Sequence, residues 1–222
     1  MRPLDYLHLQ MRLEGIEVMD ESLLRQVECV PGEEPPLLLI AQLSDAGLVV
    51  YYGEGISLKL QQAISVRLPE IEFPHVEPLL QVLTAHHIDP QVGHYKTYVV
   101  PSRSAHQRDV LCLSKHDPSV KVFGFDVFAD RVYAVQKNEA MISACVSARE
   151  NASCGEAWVY TAPEYRGLGF AQKVVRAWAG SLTDAGKVPF YSHKLENTAS
   201  ANLAAKLGLQ PVFEEIAISS QV

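Results

Sequence analysis

VYTAPEYRGLGFAQKVVRAWAG, residues 159–180, decides the fold. The apolar run entering it reads as a strand. Pro163 breaks the ladder and holds the residue before it extended, so the strand ends there. Gly167 and Gly169 lack a Cβ, which lets the chain turn tightly and approach a ligand closely. From about Phe170 an amphipathic helix begins. Ala171, Val174, Val175, Trp178 and Leu182 fall at i, i+3, i+4, i+7 and i+11, one buried face, and Gly186 stands where a left-handed cap belongs. The first amides of such a helix have no intrahelical partner and carry partial positive charge. Glycine loop and helix start together make a cradle for a pyrophosphate, to which Arg166 can add a charge-assisted contact. The plain alternative is a glycine-eased turn before a core helix. A dinucleotide fingerprint needs a third glycine in register, which is missing here, and a P-loop needs Gly-Lys-Ser/Thr where this chain has Phe170-Ala171-Gln172.

Outward from this stretch the pattern stays regular. Arg131–Lys137, a turn at Asn138-Glu139, and Ala140–Ala148 read as an antiparallel hairpin. Cys154–Ala162 is a third strand. After the helix come a strand at Val188–Lys194, a short helix in TASANLAAKL stopped by Gly208, and a last strand in VFEEIAIS. Upstream, Leu37–Leu43 and Gly47–Gly53 read as strands, helices are expected from Ile56 and over His75–His87, and His94–Val100 reads as a strand. Polar Pro101–Gln107 marks a linker between two halves. The expected class is α/β (α+β), with domains at 1–100 and 108–222.

Bulk properties restrict the function. The chain has 222 residues, 48% hydrophobic and 20% charged, as in an ordinary globular protein. Residues 1–100 carry 6 Lys/Arg against 14 Asp/Glu and residues 101–222 carry 13 against 12, for a net charge of −7. No nucleic-acid partner is expected, since phosphate binding needs clustered positive charge. No signal-peptide core and no apolar run of about 18 residues is present, so a cytoplasmic protein without membrane association is expected. Cys29, Cys112, Cys145 and Cys154 show no CxxC spacing and read as reduced, structural thiols, Cys154 being the one with a reactive alternative. Adjacent His86 and His87 diverge on any regular element, and no metal is expected.

PEYRGLGFA resembles the signature loop of GNAT acetyltransferases, R/Q-x-x-G-x-G/A, and ENTASANLAAKLGL is similar to that superfamily's second motif, an Asn before a short helix ending in Leu-Gly. The order of elements agrees as well, over about half the chain. The resemblance, which does not extend to residues 1–100, implies a mixed, mostly antiparallel sheet with flanking helices; the residues before it read from their own pattern as a smaller N-terminal α/β segment. It also implies two central strands that splay apart around the pantetheine arm of acetyl-CoA. Residue by residue, Val159, Tyr160 and Thr161 are expected to offer backbone bonds to that arm. Arg166, Gly167, Leu168, Gly169, Phe170 and Ala171 would hold the pyrophosphate. Asn197 would bond the arm through its side chain, with Ser200 nearby; the other reading of Asn197 is a helix N-cap.

The implied reaction is aminolysis of a thioester. A primary ammonium of pKa near 10 must first lose a proton, and Glu156, sharing a strand face with Trp158 and Tyr160, is the candidate base; its alternative is an exposed or lysine-paired strand residue. The oxyanion would be met by an N–H near Val159. Many members use a Tyr as general acid where this chain has Ala204, so Tyr191 or His193 would substitute. The expected function is acetyl transfer to the primary amine of a small molecule or peptide. The alternative is a catalytically silent acyl-CoA-binding sensor or partner-binding module. For residues 1–100 the candidate roles are covering the acceptor side, homodimer formation, or a divergent second copy of the fold.

Overall fold

A computed structural model describes residues 1–20, 22–28, 35–45, 47–101, 109–122 and 130–220. Cys29 and residues 102–107 of the expected linker lie outside these. The described chain forms two compact units, Met1–Lys96 with Val212–Val222, and Thr97–Pro211. The last strand of the sequence is therefore grouped with the first unit, whereas the expected division left it with the second half.

The first unit contains α1 (Pro3–Leu13), β1 (Ile16–Met19), β2 (Leu23–Gln26), β3 (Leu38–Leu43), β4 (Gly47–Gly53), α2 (Leu58–Arg67) and α3 (Glu77–Ala85). It also holds the start of β5 (Pro90–Val99) and nearly all of β11 (Pro211–Ser220). β3 pairs antiparallel with β4 and with β11, Ile40 facing Val50 and Ile216. One face of this sheet packs on α2 and α3 through Leu38, Ile40, Ile64, Leu79, Leu83 and Ile218; the other packs on α1 through Leu7, Met11, Leu39 and Phe213. Helix α1 and the short strands β1 and β2 are not among the expected elements, although Leu4, Leu7 and Met11 stand at i, i+3 and i+7 on the packed face of α1.

The second unit takes the end of β5, then β6 (Leu111–Ser114), α4 (Pro118–Val122), β7 (Arg131–Lys137), β8 (Ala140–Glu150), β9 (Cys154–Thr161), α5 (Phe170–Asp184), β10 (Val188–Lys194) and α6 (Thr198–Leu207). Strands run in the order β10-β9-β8-β7-β6, antiparallel except for β9 with β10. Both residues of the expected turn, Asn138 (φ 49°) and Glu139 (φ 63°), are left-handed, as a two-residue hairpin turn of type I′ requires. Val174, Val175, Trp178, Ala179 and Leu182 bury the inner face of α5 among Val135, Ile142 and Cys145. A side chain of this size, buried fully, contributes roughly 1.5–3 kcal/mol. Trp178 satisfies its indole N–H on Ser147 Oγ at 2.9 Å. Ala171, read as part of the same stripe, instead lines a cavity described below. On the opposite face Val132, Ala134, Met141, Ala144 and Val146 pack with Val120 of α4. Among the described residues no helix is long and apolar enough to cross a membrane. Cys145 and Cys154 are buried and Cys112 is exposed, all as free thiols.

Candidate active site

β9 and β10 pair in parallel over only three positions, Val188↔Cys154, Pro189↔Gly155 and Phe190↔Glu156, although the strands are eight and seven residues long. Beyond Glu156 a cavity of about 410 Å³ lies against both, lined by Val159, Tyr160 and Thr161 of β9 and Tyr191 of β10. Its other walls are Arg166, Gly167, Gly169, Phe170 and Ala171 at the start of α5 and Ser200 of α6. One edge of β9 is taken by β8, where the Ala162 N–H donates to Ile142 C=O at 2.9 Å. By antiparallel alternation the backbone of Tyr160 faces β8 too, while that of Val159 and Thr161 faces the splayed side. Of the three expected backbone partners, then, Tyr160 turns its main chain toward β8, and its side chain packs with Val132, Ala134 and Ala144. The Thr161 carbonyl already accepts from Arg166 Nε at 3.1 Å, which latches the loop onto the strand.

The start of α5, like those of α1 and α3, has no side-chain cap. Ser57 caps α2 and Asn197 caps α6, but Gly169, the N-cap of α5, brings no side-chain bond. Gly167 (φ 80°) and Gly169 (φ 86°) hold the left-handed backbone that bends the loop back under the helix. A Cβ at Gly167 would meet no atom within 4 Å, so the open side of the loop is clear. Amides of the first turn of a 15-residue helix thus face a concave space that also carries Arg166 and Lys206, a donor set matched to a diphosphate. Leu168 is 64% exposed and does not line the cavity. Gln172, Asn202, Leu203 and Lys206 do. Ala199, Asn202, Leu203 and Lys206 stand at i, i+3, i+4 and i+7, so helical spacing alone would have found this wall.

Asn197 takes the alternative reading: its Oδ1 accepts from the Ser200 N–H at 3.1 Å, it caps α6, and it is not part of the cavity wall. Asn197→Ala is expected to cost about 1 kcal/mol in chemical denaturation, with Asn197→Asp close to wild type. Lost coenzyme affinity without lost stability would return Asn197 to the cofactor arm.

Tyr191 and His193 point to the α5–α6 side of the sheet. Tyr191 donates to the Ser200 carbonyl at 3.3 Å, one turn before buried Ala204. Burial pushes its phenol up to about 12, so it stays protonated and remains a donor at neutral pH. That shift also gives an alkaline instability. The neutral phenol contributes fully below pH 10, the ordinary tyrosine value, and its contribution fades as pH rises through about 12. A two-unit gap corresponds to roughly 2–3 kcal/mol, and Tyr191→Phe is expected to flatten the fall in denaturation midpoint between pH 9 and 12. His193 is 6% exposed and outside the cavity wall. Its Nδ1–H donates to the Lys194 carbonyl at 2.9 Å, which leaves Nε2 to accept from the Tyr98 hydroxyl at 3.2 Å. A ring stacked on Tyr98 with both nitrogens engaged is placed as a core histidine rather than as an acid at the cavity.

Glu156 is 7% exposed. Its Oε2 accepts from Arg149 Nε at 3.0 Å and from Arg149 Nη2, and its Oε1 accepts from Ser192 Oγ. A β-bulge between Ser147 and Arg149 creates this pair: without the extra residue Arg149 would face Gly155, and with it Arg149 faces Glu156. Neither Arg149 nor Ser192 was a sequence candidate.

Residues 131–216 match the profile of the GNAT acetyltransferase family. This segment is a GNAT acetyltransferase domain. The chain is 35% identical over 82 residues to the uncharacterized N-acetyltransferase YdfB of Bacillus subtilis, across 37% of this chain and 31% of that protein. The chain therefore spans about a third of the curated relative it matches. In structure the chain is similar to a GNAT-family protein of Novosphingobium aromaticivorans, at a TM-score of 0.50 and 18% identity, over 60% of this chain and 66% of the other, a likeness of fold. A tandem GNAT protein from the clavulanic acid pathway aligns over 100% of this chain and 98% of its own, but at a TM-score of 0.45 and 11% identity, too distant to build on. GNAT domains form a family of acyl transfer. Among the described residues no cluster of three or more His, Cys, Asp or Glu side chains comes together in a way that could hold a metal ion.

Proposed function

We propose that this protein transfers the acetyl group of acetyl-CoA to the primary amine of a small molecule or peptide. The observation that carries the reading is the uncapped start of α5, with Gly167 and Gly169 left-handed, opening on the cavity beside the splayed β9 and β10. Bound there, acetyl-CoA supplies a thioester carbonyl as the electrophile. First-turn amides of α5, with Arg166 and Lys206, hold the diphosphate. The Val159 N–H, on the splayed edge of β9, is the donor for the developing oxyanion. Glu156, across the sheet from α5, is the base that removes the proton from the amine. Tyr191 keeps its phenolic proton and, on releasing the Ser200 carbonyl, is the donor on the side of the departing thiolate, in place of the tyrosine that the resemblance puts at Ala204. A thiol of pKa near 8.5 leaves as thiolate without full protonation, so this help is modest.

A second reading, a silent acyl-CoA-binding module, draws on Ala204 and on the engagement of both Glu156 oxygens. Two measurements separate them. CoA at 100 times its Kd is expected to stabilise the protein by about 2.7 kcal/mol, seen as a rise in Tm. Thiol release from acetyl-CoA is then followed against an α-amino acid, a polyamine, an aminoglycoside and a tripeptide. Stabilisation with no thiol release from any amine favours the silent module, and no stabilisation refutes both.

A further inference from the structure

The site as described leaves one difficulty in the first proton transfer. Glu156 is more deeply buried than Ser192, and its two oxygens are already occupied, Oε2 by Arg149 and Oε1 by Ser192. Backbone geometry says which of these groups stands nearer the opening. β9 and β10 are paired up to Phe190↔Glu156 and diverge beyond it. Ser192 lies two residues past Phe190 on the diverging strand. Strand alternation turns it away from Tyr191 and His193 and onto the face of Glu156, where its hydroxyl meets the carboxylate. Arg149 binds Oε2 with two N–H groups and so turns Oε1 toward the serine.

We propose that Ser192 is a catalytic residue, the hydroxyl through which Glu156 takes the proton of the acceptor. This rests on the reading of Glu156 as base. One N–H bond of the ammonium breaks as its proton joins Ser192 Oγ. The original O–H bond of Ser192 breaks as that proton passes to Glu156 Oε1. The products are a neutral amine with a free lone pair, an unchanged serine and a protonated Glu156. The carboxylate goes from −1 to neutral as the ammonium goes from +1 to neutral, so the step balances without a further reactant. Arg149 acts through Glu156 and is a positioning residue.

The test uses the full-length protein, acetyl-CoA and whichever amine of the panel above gives the fastest thiol release. Ser192→Ala is expected to lower kcat about 100-fold while the KM for acetyl-CoA stays within about twofold, as for a change confined to the chemical step. Ser192→Thr keeps a hydroxyl and is expected to recover at least about a tenth of the lost rate by the same reasoning. In mixtures of light and heavy water the wild-type rate should curve downward with deuterium content, as two protons in flight require, and the residual rate of Ser192→Ala should fall on a line. A readout independent of turnover comes from the ligand-free protein with ¹³C-labelled glutamate, whose infrared carboxylate bands should shift in Ser192→Ala as the hydrogen bond to Oε1 is lost. Wild-type kcat in Ser192→Ala beside an inactive Glu156→Gln overturns the relay and leaves Glu156 standing. An active Glu156→Gln overturns the reading beneath it. Unshifted carboxylate bands, or no thiol release from the wild type with any amine, count against the relay as well.

Discussion

Gly167→Val is expected to abolish measurable CoA binding at concentrations that saturate the wild type. At φ 80° a β-branched residue is strained by about 1–2 kcal/mol. The added Cβ would meet no protein atom within 4 Å. Gly167 is part of the cavity wall beside the first turn of α5, so the added volume is placed where a bound diphosphate would be held. A loss of at least about 100-fold in affinity, some 2.7 kcal/mol, should appear in calorimetric titration, and the thermal shift with CoA should vanish. The strain alone predicts a lower Tm with an unchanged circular dichroism spectrum, so folding and binding are read separately. Gly167→Ala should lie between the two. Undiminished CoA affinity in the valine variant would remove the pyrophosphate cradle, and the acyl-CoA reading with it.

Glu156→Gln is expected to lower kcat by about 10² to 10⁴ with CoA affinity within about twofold of wild type. The amide is nearly isosteric but takes no proton at neutral pH. It also leaves Arg149, whose side chain is 21% exposed, facing a neutral partner. Breaking a buried ion pair on one side costs about 3–5 kcal/mol. Partial exposure of the arginine puts the expected loss at or below the lower end, roughly 3 kcal/mol or less. A stability loss is thus expected together with the rate loss, and calorimetric CoA titration at a temperature well below the variant's Tm keeps them apart. The double variant Arg149→Met/Glu156→Gln should regain part of the stability and none of the rate. If Glu156→Gln keeps full kcat, proton removal belongs to another group and the carboxylate is a strut between β8, β9 and β10.

Much of the C-terminal unit was legible because its signals are carried by consecutive residues. Gly167 and Gly169, the apolar stripe of α5, the turn at Asn138-Glu139 and the alternation of β7–β10 depend on local backbone preference and on the period of a strand or helix. They locate the glycine loop and the start of α5 without any knowledge of neighbours. Other assignments failed for lack of the third dimension. Asn197 follows a strand and precedes a helix in either of its readings, and only the position of the Ser200 N–H shows the cap. His193 looks available on a bare strand, yet Tyr98, 95 residues earlier, closes its second nitrogen.

What the sequence by itself determined is the GNAT-like order of elements, the glycine loop and the helix that presents its amides, all of them properties of short segments. What the tertiary structure alone decided is the set of partners: Arg149 and Ser192 on Glu156, the cap on Asn197, and the pairing of β11 with β3. The reason is register. A side chain meets its cross-strand neighbour only once turn lengths and bulges have placed the strands, and a shift of one residue turns every side chain to the other face. The single extra residue between Ser147 and Arg149 carries no local mark, yet it decides which residue faces the carboxylate.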